Sequence, residues 1–269
     1  MDKVFRDYRE SKAKAAVKEH YRKMRANQTV SYVEKMKKKY LTYDKPLMLW
    51  DALKNLDDLI DVSDPDLDLP NVQHLIQSAE AIRRDKRADW MQLVGLIHDL
   101  GKIMFLWGSD EDGTSQKEQW GMVGDVFVVG CTLPNSCVYP EFNSLNPDMS
   151  DSRYNSLTGK YKKGCGLKNL ELAWGHDEYL FQVLEHHSTN RLPEEAMAMI
   201  RYHSFYPWHS GNSYTELLQR EDEKYLNWIR DFNKYDLYTK SNQTYDLDSL
   251  KNYYLPIAEK YLGKGPIYW

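Results

Sequence analysis

Between residues 47 and 60 the chain reads LMLWDALKNLDDLI, and Leu49, Ala52, Leu53, Leu56, Leu59 and Ile60 recur at the i, i+3, i+4, i+7 spacing of one helix face. That period runs through most of the sequence, so the dominant packing must be helix on helix. Residues 10–41 are polar but carry Val17, Tyr21 and Met24 at helical spacing, and Asn27 or Thr29 can cap a second helix within them. DVSDPDLDLP, with Pro65 and Pro70, breaks the pattern. Further helices are predicted over about 71–85, 88–104, 167–187, 194–203, 216–239 and 248–261. Val126–Val129 and Cys137–Tyr139 are the only β-like runs, and they predict no more than a minor short β-hairpin. GSDEDGTSQKE, residues 108–118, reads as a flexible surface loop. No repeat or low-complexity linker divides the chain, so one all-α domain over 1–269 is expected.

Several function classes fall away on composition. The net charge is −4, and the only run of three cations, Lys37, Lys38 and Lys39, reads as a solvated helix face; no nucleic-acid partner is expected. No apolar run is long enough to span a membrane, and the N-terminal stretch lacks the apolar centre of a secretory signal. The cysteines, Cys131, Cys137 and Cys165, are odd in number and have no C-x-x-C spacing, which suits a reducing compartment and predicts a cytoplasmic protein.

The histidines carry more signal. His20 lies on a polar helix and is expected to be solvated, and His186 and His187 suit a helix C-terminus. His74, His98, His176 and His203 each stand at the edge of an apolar stripe, on four different predicted helices. One such residue alone is usually a satisfied boundary histidine. Four together are different, because buried imidazoles and carboxylates are costly unless paired or bound to metal, and facing helices of a bundle are where such sites are built. His98 is followed directly by Asp99 in LVGLIHDLGK. Neighbours on a helix project about 100° apart, so both can reach one cavity. Asp99 has two oxygens and can bridge two metals, Gly101 leaves room, and Lys102 can bring its ammonium to the same cavity. A mixed set of imidazoles and carboxylates suits iron, zinc or manganese better than magnesium or calcium.

An isolated histidine, a His-Asp pair and a later aspartate resemble the metal signature of the HD-domain superfamily, an all-α fold. The wider text is more specific. SDPDLDLPN, LVGLIHDLGK, AWGHDEY, IRYHSFYPWH and FNKYDLYTK occur in the order found in myo-inositol oxygenases, and the likeness runs from Phe5 to about Lys240. The resemblance implies a helical bundle around a dinuclear site with two iron ions, a mixed-valent Fe(II)/Fe(III) pair. One iron would be held by His74, His98, Asp99 and Asp236. Asp99 would bridge to a second, also held by His176 and His203, where two neighbouring substrate hydroxyls would chelate. Arg6, Asp61, Lys102, Gly124, Asp125, Ser204 and Lys240 would hold the substrate, and Tyr21 would help to close the site. His209 is expected behind the ligands, orienting one of them.

The resemblance further implies that O₂ cleaves the C1–C6 bond of myo-inositol to give D-glucuronate, with Lys102 stabilising charge on a substrate oxygen, in a monomeric enzyme. The residues agree with such a substrate: a neutral polyol offers no charge to grip and must be held by many hydrogen bonds. The stretch GSDEDGTSQKEQ between Lys102 and Gly124 looks longer than in the animal proteins. The alternative is an HD-type metal-dependent phosphohydrolase, which would use Mn or Mg without O₂. A non-catalytic inositol-binding protein is the other rival, and the intact ligand set argues against it.

Overall fold

The polar N-terminal stretch becomes two helices because Thr29 caps the second. Its hydroxyl accepts the backbone N–H of Tyr32 at 3.1 Å, ending α1 (Ala15–Asn27) and starting α2 (Val30–Tyr40). The computed structural model describes residues 6–8, 15–65, 69–238 and 243–269. Its remaining helices are α3 (Leu49–Asn55), α4 (Asn71–Arg84), α5 (Asp89–Ile97), α6 (His176–His186), α7 (Glu194–Tyr202), the single turn α8 (Tyr206–His209), α9 (Glu223–Tyr238) and α10 (Leu247–Leu262). Among the described residues the fold is all-α apart from two short strands, β1 (Pro46–Leu47) and β2 (Ile267–Tyr268). No helix among the described residues is long and apolar enough to cross a membrane.

The core follows the amphipathic faces. α4 lies along α5, α5 also touches α7 and α10, and α7 packs between α6 and α9. Leu75, Ile76 and Ala79 of α4, Leu93, Val94, Leu96 and Ile97 of α5, Ile200 of α7 and Phe232 of α9 are fully buried. Each large one contributes roughly 1.5–3 kcal/mol of hydrophobic stabilisation. The rings of His98 and His203 both meet the Phe232 ring nearly edge-on, with centroids 5.2 and 6.4 Å away. The apolar core therefore walls in the imidazoles that the sequence placed at its edge.

Several boundaries differ from expectation, each for a tertiary reason. The segment predicted as helix over 88–104 changes at His98: α5 ends at Ile97, and a 3-10 helix runs from Leu100 to Trp107. His98 and Asp99 therefore occupy a junction and not a helix interior. Gly101 does leave room, but for backbone: a Cβ there would lie 2.1 Å from the carbonyl oxygen of His176. The helix predicted from 167 begins at His176, preceded by a 3-10 turn at Leu167–Asn169 and an extended run. That run is held at its end by Gln28, which accepts from Trp174 N at 2.9 Å and donates to Trp174 O at 2.7 Å.

The β-like runs do not form a hairpin. Val128 makes an isolated bridge to Leu172, while the two-stranded sheet is antiparallel and pairs Pro46 with Tyr268 and Leu47 with Ile267. The loop at 108–118 is not a loose excursion. Asp112 and Thr114 are buried, Asp112 pairs with Lys39 and accepts through its carbonyl from Tyr32 at 2.6 Å, and Thr114 meets the Tyr40 hydroxyl. His20 is not solvated either: it is buried, with Nε2 3.1 Å from the carbonyl of Val123.

Candidate metal centre

Three backbone carbonyls decide how the imidazoles face the interior. His98 Nδ1–H donates to Gly95 O at 3.0 Å, His176 Nδ1–H to Met122 O at 2.8 Å, and His203 Nδ1–H to Ile200 O at 2.9 Å. In the neutral ring each bond fixes the tautomer that leaves a lone pair on Nε2. Burial lowers the pKa of His176, but Asp177 and Asp99 outweigh it and raise it to about 10, so a cation, proton or metal, is held at that nitrogen. The Nε2 atoms converge. His98 Nε2 is 3.3 Å from His74 Nε2 and 3.4 Å from Asp236 Oδ1, and His74 Nε2 is 2.9 Å from the same oxygen. His176 Nε2 and His203 Nε2 are 3.2 Å apart, and Asp99 Oδ1 stands 3.0 and 3.4 Å from them. Asp99 Oδ1 also lies 3.8 Å from His98 Nε2, so it stands between the two groups.

This donor set fits a metal better than it fits itself. Buried lone pairs facing each other repel unless a proton or a cation lies between them. Two nitrogens bound to one metal at about 2.1 Å, at angles between right and tetrahedral, stand roughly 3.0–3.4 Å apart, and both histidine pairs have that spacing. His74, His98 and Asp236 form one compact group, His98, Asp99 and His203 a second, and His176, Asp177 and His203 a third. His74 Nδ1 is buried with no partner among the described residues. These His and Asp groups can hold metal.

Electrostatics keep the carboxylates ionised. Burial raises the pKa of Asp99, but the Lys102 charge and the imidazoles of His98, His176 and His203 outweigh it and hold the carboxyl well below its ordinary range. Asp236 behaves in the same way, with His74 and His98 overcoming burial. Lys102 Nζ donates to Asp61 Oδ2 and Asp99 Oδ2, both at 2.7 Å, and this pair of anions raises its pKa against the effect of burial. In return Asp61, half-buried, is lowered to about 2 because Lys102 and Ser63 outweigh its desolvation. Asn71 completes Asp99, donating to Oδ2 at 3.0 Å.

The groups open onto a cavity of about 90 Å³ walled on the far side by the N-terminal segment. Arg6 forms an ion pair with Asp125 and lies 3.4 Å over the Tyr206 ring. Tyr21 Oη donates to Asp125 Oδ1 at 3.3 Å and accepts from Asp125 N at 3.3 Å. Gly124 has φ +103, a conformation disfavoured for other residues, and it sets Asp125 on this wall. Ser204 Oγ donates to Asp177 Oδ1 at 3.1 Å.

A family model for myo-inositol oxygenase matches residues 14–269. An inositol oxygenase of Dictyostelium discoideum is 43% identical over 98% of this chain and 89% of its own length. Inositol oxygenase 4 of Arabidopsis thaliana is 44% identical over 97% of this chain and 81% of its own. The chain belongs to the myo-inositol oxygenase family. The Mus musculus inositol oxygenase is also similar, 43% identical over 98% of this chain and 90% of its own. The members of this family are enzymes.

Of the residues that the resemblance to myo-inositol oxygenases singled out, the structure brings His74, His98, Asp99, His176, His203 and Asp236 together at the centre. Arg6, Tyr21, Asp61, Lys102, Gly124, Asp125 and Ser204 line the adjoining cavity. Lys240 lies outside the described residues. His209 lies behind the centre. Asn233 Nδ2 donates to its Nδ1 at 3.3 Å, leaving Nε2–H to donate to His203 O at 2.9 Å, and burial lowers its pKa to about 3, keeping it neutral. Sequence reasoning passed over Asp177, Asn71 and Tyr206. Asp177 had a visible signal, because GHDEY repeats the His-Asp adjacency of IHDLG.

Proposed function

We propose that this chain oxidises myo-inositol with O₂, cleaving the C1–C6 bond to give D-glucuronate and water, and that it does so with two iron ions in a mixed-valent Fe(II)/Fe(III) state. The observation that carries the reading is the pair of Nε2 groups joined by Asp99, inside a chain of the myo-inositol oxygenase family. His74, His98, Asp99 and Asp236 would hold one iron, and Asp99, His176 and His203 the other. Bound there, the irons supply Lewis acidity toward a vicinal diol and the redox capacity to use O₂.

The chain's own groups do the rest. Asp125 and Tyr206 hold Arg6 over the cavity, where its N–H groups can donate to ring hydroxyls. Asp61 offers a carboxylate kept ionised by Lys102. The Lys102 ammonium, fixed between Asp61 and Asp99, is the cation placed to offset charge developing on a substrate oxygen. Tyr21 and Tyr8, joined through their hydroxyls at 3.3 Å, cover the cavity and restrict water. A phosphate ester suits this cavity less well, since Arg6 and Lys102, its cations among the described residues, are already engaged by carboxylates.

The test is anaerobic iron loading followed by myo-inositol and measured O₂. One O₂ consumed per D-glucuronate formed is expected, with no hydrolysis of phosphate esters. Two irons per chain with no O₂ uptake would refute the oxygenase reading.

A further inference from the structure

The stretch after Trp107 packs down on the body of the protein, and where it ends it meets the chain around Asp61. Glu118 pairs with Lys23 of α1 at 2.7 Å. The next residue, Gln119, is buried, and its side-chain amide reaches the neighbours of Asp61 on either side. Oε1 accepts from Val62 N at 3.2 Å, while Nε2 donates to Ile60 O at 3.0 Å and to Gln116 O at 2.9 Å. A carbonyl before Asp61 and an N–H after it are thus met by one group that carries both an acceptor and donors, which among neutral side chains of this length only an amide does. Among the described residues no backbone–backbone hydrogen bond reaches Ile60, Asp61 or Val62. Gln119 therefore supplies the partners that the main chain on both sides of Asp61 would otherwise lack.

Asp61 has its own contacts. Oδ1 accepts from Ser63 N at 2.8 Å and Ser63 Oγ at 2.6 Å, and Oδ2 accepts from Lys102 Nζ at 2.7 Å. The Ser63 bonds orient the carboxylate within its own turn, and the Gln119 amide fixes where that turn stands. The main chain of Gln119 serves a second part of the same cavity lining: its carbonyl accepts from Met122 N at 2.9 Å and Val123 N at 3.1 Å, in the turn that leads to Gly124 and Asp125.

We propose that Gln119 is a positioning residue for substrate binding, its amide setting Asp61 where the carboxylate meets both Lys102 and a substrate hydroxyl. The inference deepens the proposed function and rests on its reading of Asp61 as a substrate contact. A glutamine that served stability alone would act whether or not residue 61 carried a carboxylate. A positioning residue has nothing to act on once that carboxylate is gone.

The test is a double-mutant cycle on the iron-loaded full chain, with kcat and KM for myo-inositol read from O₂ uptake. Q119M keeps the length of the side chain and removes its three hydrogen bonds. It should lower kcat/KM by about 10-fold or more, since a misplacement of about 1 Å can cost about 100-fold, chiefly through KM and with iron content unchanged. In a D61A background the same substitution should change kcat/KM by less than about 2-fold. An equal loss in both backgrounds, or a Q119M chain within about 2-fold of wild type, overturns the proposal. If Q119M does not fold, Q119E takes its place, since it can still accept from Val62 N but cannot donate to Ile60 O. If D61A leaves no measurable turnover, a crystal structure of the Gln119 variant decides: the Asp61 carboxylate displaced by about 1 Å or more relative to Asp99 is expected, and an unmoved carboxylate overturns the assignment. Wild type that takes up no O₂ with myo-inositol overturns the proposed function instead, and that structure then tests the placement of Asp61 by itself.

Discussion

Replacing Lys102 by Ala removes the cation shared by the buried Asp99 and the half-buried Asp61. Asp61 and Asp99 each accept from its ammonium at 2.7 Å, and its side chain is only 4% exposed; water entering its place would bring hydrogen bonds but no charge to replace it. Holding Asp61 at about 2 against an ordinary 3.8 corresponds to about 2 kcal/mol of folding stability at neutral pH. Asp99 adds to this, and breaking a buried pair from one side typically costs about 3–5 kcal/mol. K102A should therefore lose about 3–5 kcal/mol in urea unfolding at pH 7 in the presence of chelator. Because the folded pKa of Asp61 lies below its unfolded value, its contribution is complete above about pH 4 and fades as pH falls toward 2. The gap between wild type and K102A should narrow over that window. D61N/K102A should be more stable than the two single losses add to, by about 2 kcal/mol, since no Asp61 charge is left stranded. A K102A loss under about 1 kcal/mol, or strict additivity in the double variant, would show that Lys102 does not neutralise this pair. In the iron-loaded enzyme, K102A should reduce turnover far more than metal content.

Three further outcomes follow from single contacts. G101A drives a Cβ to 2.1 Å from His176 O and should cost at least about 1–3 kcal/mol, with weakened metal binding at the second site, seen by thermal melting and metal analysis; an unchanged melting temperature would contradict the close approach. H209A removes the donor to His203 O and should weaken the second metal about 10–100-fold while leaving the first unchanged, as read by anaerobic iron titration. D125N leaves Arg6 with a neutral acceptor and should lower kcat/KM for myo-inositol roughly 10–100-fold through the weaker charge-assisted bond, with iron content preserved.

The helical class and the six centre residues could be read from the sequence because both depend on local spacing or on motifs. What could not be read depends on distant partners. The end of α5 at His98 is invisible locally, since LVGLIHDLGK favours continued helix; the close approach of the His176 carbonyl to Gly101, just past that end, involves a residue far along the chain. Pro46–Leu47 and Ile267–Tyr268 are too short to show alternation and pair only because Lys45 and Trp269 exchange backbone hydrogen bonds at 3.2 and 3.0 Å. His20 looks solvated on its polar helix, and the turn carrying Val123 buries it. Asp112 and Thr114 read as loop polarity because their partners lie on α2. Asp177 was legible but overlooked, as a second His-Asp pair beside a more familiar one.

The measurement that bears most directly on the centre is electron paramagnetic resonance of the two-iron protein after one-electron oxidation, before and after D99N. If Asp99 joins the two sites, the ferrous and ferric spins couple into a low-total-spin ground state whose signal shifts on adding myo-inositol, and D99N abolishes that signal. An uncoupled high-spin ferric signal in the wild-type protein holding two irons would contradict a centre bridged by Asp99.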